Sequence, residues 1–486
     1  PFKKRRGITK SPLLFSLNSS LGNVSLYGMV TTVGHSPKRF QSYLDVPNLP
    51  QNIRLICEII ADADPSSLEV YLDSACHNIT ESEVSQVLKL SYDFPLSVSV
   101  FFRWAEGVLG HSPSPFCWDL LVDILGKHSL FERMWETIEL MRRQRIVSLC
   151  TFIPVFGNYV EAGKVERAIQ SFESMDSYVR NRDVVALNWL ISTLCKSGNT
   201  MDAYKYVHKI KNRVKPDADT FSLLLEGWMN NSDVMNAKKT FEEMVTDIGW
   251  DRDNVFAYEA YLCTVLGGPD GLRESVKLLS FILKMGCYPG VKFFSLALKE
   301  CFKVADVKCA EILWEVMVGL ENVEVKSDVE IFYNMIRILC SSNRGLQAKC
   351  IYDKLLQIGG SPTEEICKLL FACLISCERL YDVTEIFDFM IEKKFKPSYE
   401  SCVEAIEVSI VSKNAYLACK VWKYMVVMYS TNLGEIGNFL VVRLCDFGMA
   451  EEACKLAKNM VLKRIELKSS TFVRLKEGLN IKAKSL

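Results

Sequence analysis

The stretch from Asp183 to Asp217 reads DVVALNWLISTLCKSGNTMDAYKYVHKIKNRVKPD, and its pattern predicts two consecutive helices. Apolar residues recur at helical spacing on both sides of a break at residues 196–199, and a Pro-Asp pair follows the second helix. The residues that come next, ADTFSLLLEGWMNNSDVMNAKKTFEEM, begin the same pattern again. One helical hairpin therefore recurs along this chain.

A small residue in the middle of each second helix marks the period. Nine such residues follow one another at spacings of 34 to 38: Ala168, Ala203, Ala237, Ser275, Ala310, Ala348, Val383, Ala418 and Ala453. Seven residues after each stands a large apolar residue: Met175, Ile210, Met244, Ile282, Met317, Leu355, Met390, Met425 and Met460. Because small residues let helices approach closely, and residues seven apart share a helix face, this register predicts stacked hairpins.

The register extends one hairpin upstream, to Met134 and Met141, and gives about ten repeats in all. We predict an all-α fold, a right-handed superhelical solenoid of helix-turn-helix repeats with helical end caps, whose first helices line a concave groove. The predicted domains are a basic leader at 1–50, an N-terminal helical cap at 51–114, the repeat array at 115–468 and a capping helix at 469–486.

The predicted N-terminal cap contains two local helix signals. Thr80 and Glu83 have the spacing of a capping box, in which each side chain bonds the backbone of the other. Pro95 is placed to open the following helix, since proline is favoured in a first turn.

The net charge of zero hides an asymmetry. Residues 1–44 contain seven basic side chains and no acid, so the remainder of the chain carries a net charge of −7. The leader PFKKRRGITKSPLLFSLNSS is basic, contains serine and lacks acids, which is typical of an organelle transit peptide. The alternative is a basic tail.

Several function classes find no support in the sequence. The 18 Cys are scattered and form no Cys-x-x-Cys, which indicates reduced thiols in helix cores. None of the five His is followed by x-Glu, as a deaminase-type zinc site requires, and no P-loop or Gly-x-Ser-x-Gly occurs. No apolar run reaches the roughly 18 residues needed to span a bilayer. We therefore predict no enzyme activity, no metal, no cofactor and no membrane partner.

The hairpin of residues 183–217, with its Leu-Cys-Lys-x-Gly turn and Pro-Asp end, resembles the P-type pentatricopeptide repeat. It is less similar to the tetratricopeptide repeat, the other two-helix unit of this length. NYVEAGKVERAIQSFESM (158–175) and RLCDFGMAEEACKLAKNM (443–460) resemble the second half of the same unit. FFRWAEGVLGHSPSPFCWDLLVDILGK (101–127) is similar to the entry segment of land-plant mitochondrial members.

The resemblance implies a protein that binds single-stranded RNA, one nucleotide per repeat. It also implies that the fifth and last residues of a repeat read a base edge while the second residue packs against the base. In the repeat that begins at Val184, the reading pair is Asn188 with Asp217, which the family uses for pyrimidines, and the packing residue is Val185.

Two later repeats also carry polar pairs at the reading positions. Ser222 with Asn254 suits adenine, and Ser295 with Asp328 suits guanine, by the same resemblance. The alternative for any one of these Asn or Ser residues is an ordinary solvated helix start.

Other repeats depart from the pattern. Their fifth residues are Asp119, Ile153, Tyr333, Lys368 and Val403, with Glu259 or Ala260 in the irregular repeat near 255. Acids spaced 35 apart occupy the second position in four consecutive repeats: Glu330, Glu365, Glu400 and Glu435. This acidic row would repel phosphates, or it consists of exposed acids favoured by the helix dipole. Either way, the C-terminal repeats suit contact with a basic protein or segment better than base reading.

These features lead to a functional expectation. A body of charge −7 is unexpected for a protein that holds a long RNA alone. The resemblance to land-plant mitochondrial members implies a mitochondrial (matrix) rather than plastid protein, and plant-type mitochondrial ribosomes include such members. We therefore expect a component of the mitochondrial ribosome that contacts single-stranded or ribosomal RNA and ribosomal or other ribonucleoprotein proteins. One alternative is a free, site-specific binder of an organellar transcript. The other is a helical-repeat scaffold that binds only proteins.

Overall fold

The structure of the chain, a computed structural model, describes residues 40–179, 183–320, 328–429 and 433–485, without the side chains of 480–485. These residues form 25 α-helices and no β-strand, which confirms the predicted all-α fold. Most of the predicted leader lies outside the described residues. No helix in the described ranges is long and apolar enough to cross a membrane.

Short linkers join most consecutive helices along the chain. They are α1 Gln51–Asp62, α2 Leu68–Ala75, α3 Glu81–Leu90, α4 Pro95–Leu109, α5 Pro115–Lys127, α6 Phe131–Arg143, α7 Leu149–Glu161, α8 Val165–Ser174, α9 Val184–Lys196, α10 Thr200–Ile210, α11 Ala218–Asn230, α12 Val234–Asp247, α13 Val255–Leu266, α14 Gly271–Lys284, α15 Val291–Lys303, α16 Val307–Gly319, α17 Val329–Ser341, α18 Gly345–Gln357, α19 Glu364–Ser376, α20 Leu380–Glu392, α21 Tyr399–Val411, α22 Ala415–Met428, α23 Leu433–Asp446, α24 Ala450–Leu462 and α25 Ser469–Ser485. Single 3-10 turns occur at Tyr43–Asp45 and Met175–Ser177. From α5 onward, odd-numbered helices are the first helices of repeats and even-numbered ones the second.

The chain divides into two compact units, residues 1–158 and 159–486, and the boundary lies inside α7. In the first unit, α1 packs on α2, α3 and α4, while α5 packs on α3, α4 and α6. The predicted capping box is confirmed: the Thr80 N–H donates to Glu83 Oε2 at 2.8 Å, and the Glu83 N–H donates to Thr80 Oγ1 at 3.3 Å. Pro95 is the first residue of α4, as predicted.

In the second unit, each first helix from α9 to α23 packs on its own second helix and on the next first helix. All nine small residues of the predicted register have 0% of their surface exposed, and their apolar partners expose at most 5%. The register is therefore confirmed as the contact line of the stack. The domain boundaries and the handedness of the superhelix stay predictions.

The turn between the two helices of a hairpin repeats one backbone shape. At Gly198 the chain enters the left-handed region with φ of +83°, which glycine adopts without steric cost. The same turn is made by Ser232 and Glu378, each at +54°, and by Lys413 at +57°. The backbone hydrogen bonds that close each helix end thus hold residues other than glycine in a conformation that they rarely adopt.

Candidate nucleic-acid interface

Successive first helices pack side by side in the second unit, so their exposed residues lie next to one another. We call the exposed side of α9, α11, α13, α15, α17, α19, α21 and α23 the first-helix face. A predicted reading pair joins the fifth residue of one first helix to the residue that precedes the next.

Asn188 and Asp217 are in contact, as the resemblance implies. Asp217 caps α11, because its Oδ1 accepts the backbone N–H of Thr220 at 2.9 Å. Asn188 Nδ2 donates to the same Oδ1 at 3.1 Å, and the Thr220 hydroxyl donates to Asn188 Oδ1 at 2.6 Å. Sequence reasoning missed Thr220, although the Asp-x-x-Thr spacing of a helix cap was its available signal. The pair is thus held rigidly, while its role in reading a base stays a prediction.

The bonds around this pair leave two groups available. Asn188 keeps one amide hydrogen, and Asp217 keeps its Oδ2, and both residues are half-buried. A donor beside a carboxylate acceptor matches the O4 and N3–H of uracil. Cytosine presents a lone pair at N3, which would face the carboxylate unfavourably. Val185, the predicted packing residue, is half-buried on the same helix.

Ser222 and Asn254 are also in contact. The Ser222 hydroxyl lies 2.7 Å from Asn254 Oδ1 and 2.9 Å from the carbonyl oxygen of Ala218. Ser222 exposes only 6% of its surface, whereas Asn254 is half-buried. Of the two, Asn254 is therefore the side chain with surface left for a ligand.

Ser295 and Asp328 are not joined by a hydrogen bond in the described part of the chain. Ser295 exposes 6% of its surface. Asp328 caps α17, and its Oδ1 accepts the backbone N–H of Glu330 at 2.8 Å. This third predicted pair therefore has no geometric support comparable to the first two.

The irregular repeat near 255 is settled in favour of Glu259, because α13 begins at Val255 and Ala260 is buried. Glu259 Oε2 accepts the backbone N–H of Lys292 at 3.0 Å. A Cβ on Gly290 would meet Glu259 Oε2, so a larger residue at this position would displace the carboxylate from the cap. The pKa of Glu259 is raised by burial, and the hydrogen bond from the backbone N–H of Lys292 offsets part of this rise. This carboxylate caps the next helix.

Asn438 is a fifth-position residue that sequence reasoning missed, although the spacing of 35 from Val403 points to it. Its Nδ2 donates to the carbonyl oxygens of Gly434 at 2.6 Å and Glu466 at 2.8 Å. Its Oδ1 accepts the backbone N–H of Lys468 at 2.9 Å. Asn438 exposes 5% of its surface and its amide is fully used, so it joins repeats.

The acidic row is exposed along its whole length, at Glu330, Glu365, Glu400 and Glu435. Glu330 forms a salt bridge with Lys299 from the preceding first helix, so its charge is partly compensated. The other three have no ion-pair partner among the described residues. Glu435 and Glu400 both raise the pKa of Tyr399, after burial, which places these two carboxylates in one local field.

The first helices differ in charge between the two halves of the second unit. The central ones (α9, α11, α13 and α15) carry four basic and four acidic residues, so their net charge is zero. The C-terminal ones (α17, α19, α21 and α23) carry three basic and eight acidic residues, a net charge of −5. The C-terminal first helices should therefore repel RNA phosphates more strongly than the central ones.

One acid sits within the central part of the face. Asp219, the second residue of α11, is half-buried. Burial raises its pKa, and the charges of Asp217 and Asp251 raise it further. Protonation of Asp219 is thus easier than that of an ordinary aspartate.

The described residues contain no group of three or more side chains placed to hold a metal ion. Cys367 and Cys373 are buried and Cys377 is half-buried, as expected for packing.

No protein-family model matches the chain. Two similar proteins are mitochondrial pentatricopeptide repeat-containing proteins of Arabidopsis thaliana. The first is 30% identical over 184 residues, which is 38% of this chain and 35% of the relative. The second is 31% identical over 184 residues, 37% of this chain and 33% of the relative. The match thus spans about a third of the relatives' own length.

A similar solved structure is that of the pentatricopeptide repeat protein PPR10 in complex with an 18-nt psaJ RNA element. It shares 16% sequence identity and a TM-score of 0.42, over 89% of this chain and 68% of that chain. Together with the observed stack of helical hairpins, the curated relatives agree with the resemblance: this chain is similar to pentatricopeptide repeat proteins over the matched third of their length.

Proposed function

We propose that this chain is a non-catalytic RNA-binding protein of mitochondrial gene expression. The relatives that match it are mitochondrial pentatricopeptide repeat proteins, and the family resemblance implies binding of single-stranded RNA. The observation that carries the proposal is the contact of Asn188 with Asp217 at 3.1 Å, which leaves one donor and one acceptor for a base edge.

RNA contact is confined to the central repeats in this proposal. There the first helices have no net charge, and two of the three predicted reading pairs are in contact. The C-terminal first helices carry a net charge of −5 and present Glu at the base-packing position. A short RNA segment therefore suits this protein better than a long one.

A protein that contacts RNA over a few repeats and offers an acidic surface elsewhere suits a larger ribonucleoprotein. We therefore favour a component of the mitochondrial ribosome, in which the acidic row meets a basic protein segment. The alternative is a free binder of one organellar transcript, which the ordered Asn188–Asp217 pair equally supports. A scaffold that binds only proteins is the third class.

RNA binding is tested by titrating the full chain against a fluorescent single-stranded RNA that contains runs of uridine. The expected result is tighter binding to this RNA than to a duplex of the same sequence, because bases must be splayed for reading. Equal, weak affinity for both would leave only non-specific attraction and favour the protein-only scaffold.

Sedimentation distinguishes the two RNA-binding alternatives. The tagged chain is expressed in mitochondria, and lysates are fractionated after a high-salt wash. Stable co-migration with one ribosomal subunit is the expected result. A small complex that releases its RNA in high salt would instead establish a free transcript binder.

A further inference from the structure

The last helices enclose an apolar cleft. It has a volume of about 670 Å³ and lies between α24 and α25. Its walls include Ala457, Val461, Leu462, Phe472, Leu475 and Leu479. Phe472 exposes 59% of its surface and Leu479 exposes 37%, which is unusual for large apolar side chains that stand side by side.

The preceding repeats show what belongs in this cleft. The residues 35 and 70 positions before Phe472 are Gly437 and Cys402, which stand at the same place in the two preceding repeats and are buried. The residues 35 and 70 positions before Leu479, Leu444 and Ser409, both have 0% exposure. Positions that are covered in the two preceding repeats are therefore open in α25.

The side chains that cover Gly437 come from second helices. A Cβ on Gly437 would stand 2.6 Å from Trp422 of α22 and 2.8 Å from Met460 of α24. One repeat later, the residue equivalent to Trp422 is Ala457, which lines the cleft opposite Phe472. Among the described residues, no helix covers Phe472 in the way that Trp422 and Met460 cover Gly437.

The basic charge around the cleft indicates which kind of partner the cleft can bind. Lys458 and Lys476 lie on the walls of the cleft, and residues 454–479 contain seven basic and two acidic side chains. Two such faces would repel each other, which disfavours a second copy of this chain. An amphipathic helix with apolar residues at second-helix spacing and acidic flanks satisfies both the cleft and its rim.

We infer that the cleft between α24 and α25 docks an acidic amphipathic α-helix of a partner protein, whose apolar face packs on the cleft walls and whose acids lie near Lys458 and Lys476. This interaction is separate from RNA binding, since the cleft does not belong to the first-helix face.

Two helices of this chain supply matched probes. A stapled, fluorescent peptide of α20 (Leu380–Glu392) is a second helix with four acids and no base. A peptide of α18 (Gly345–Gln357) is a second helix with two bases and one acid. Stapling is needed because free peptides of this length are barely helical in water. The full chain is expected to bind the α20 peptide at least about tenfold more tightly than the α18 peptide.

Substitutions in the cleft locate the binding. Phe472→Lys with Leu479→Lys should weaken the α20 peptide by about tenfold or more, since both side chains are exposed apolar contacts. Met235→Lys, at a residue that is 82% exposed on the second helix α12, is the matched control and should leave peptide binding unchanged. Lys458→Glu with Lys476→Glu should reverse the preference between the two peptides.

Four outcomes would overturn the inference. The first is equal binding of both peptides, and the second is peptide binding that the cleft substitutions leave unchanged. The third is displacement of the peptide by a uridine oligonucleotide. The fourth is a dimer of the full chain that dissociates when the cleft substitutions are made. The third result would assign the cleft to RNA, and the fourth to a second copy of the chain.

Discussion

The central and C-terminal halves of the second unit share one core and differ on one face. Ala203 in the central half and Ala418 in the C-terminal half are both fully buried at the same place in the hairpin. On the first-helix face, however, Asn188 contacts Asp217 in the central half, whereas the C-terminal half presents the row from Glu330 to Glu435. The core therefore specifies the stack, and the second and fifth positions specify what it meets.

The largest effect is expected from reversing the charge of the acidic row. Changing Glu330, Glu365, Glu400 and Glu435 to Lys adds four phosphate contacts, which steepens the slope of log affinity against log salt by about 3. Non-specific RNA affinity should then fall by about fiftyfold more between 50 and 200 mM salt than that of the unchanged chain. Fluorescence anisotropy across a salt series measures this.

A control variant carries the same change in net charge on second helices. It replaces exposed acids there with Lys, at Glu132, Glu166, Glu242 and Glu392. If this control gained as much RNA affinity as the row variant, the gain would come from net charge alone and not from the position of the acids on the first-helix face.

The central half is tested at Asn188. Asn188→Ala removes the donor beside Asp217 and should abolish discrimination at one nucleotide, worth about 1–3 kcal/mol. Competition among RNAs that differ at single positions gives the measurement. An unchanged base preference would refute the reading role.

Asn438 is the matched control for Asn188, because it is the same residue type at the same repeat position. Its amide is used entirely by Gly434, Glu466 and Lys468. Asn438→Ala should therefore cost about 1–3 kcal/mol of unfolding free energy, since buried backbone groups lose their partners. Urea unfolding should show this loss, and base preference should not change.

The shared core is tested by overpacking. Ala203→Trp and Ala418→Trp each force a large ring into a close helix contact and should cost about 1–3 kcal/mol. Thermal unfolding is expected to report similar losses for both. A neutral substitution at either site would show that the two halves are not packed alike.

The smallest effect is expected from Asp219. Its pKa is raised, so lowering the pH from neutrality toward that pKa neutralises it earlier than an ordinary aspartate. RNA affinity should rise as the pH falls, because a negative charge leaves the face. Asp219→Asn should bind RNA a few times more tightly at neutral pH and lose this part of the pH dependence. If Asp219→Asn bound RNA at neutral pH no more tightly than the unchanged chain, the charge of Asp219 would not face the RNA.

The stack was predictable because its signals are local and repeated. The register from Ala168 to Ala453 required only the period and residue size, and the capping box at Thr80 required only its spacing. The left-handed turns at Glu378 and Lys413 were not predictable, because neither residue type indicates a backbone conformation that both rarely adopt.

The site was predictable only in part. The contact of Asn188 with Asp217 followed from the family pattern, but the different environment of Asn438 did not, although both are Asn at the fifth position. Whether such an amide faces solvent or the next repeat depends on the backbone around it. Likewise, the partner of Glu330 is Lys299 in another repeat, at a separation that no local pattern specifies.

A crosslinking map of the full chain with photoreactive single-stranded RNA tests the central claim most directly. The expected result is crosslinks on the first-helix face between Asp183 and Asp328, with none along the row from Glu330 to Glu435. Crosslinks along that row, with the central repeats bare, would contradict the account.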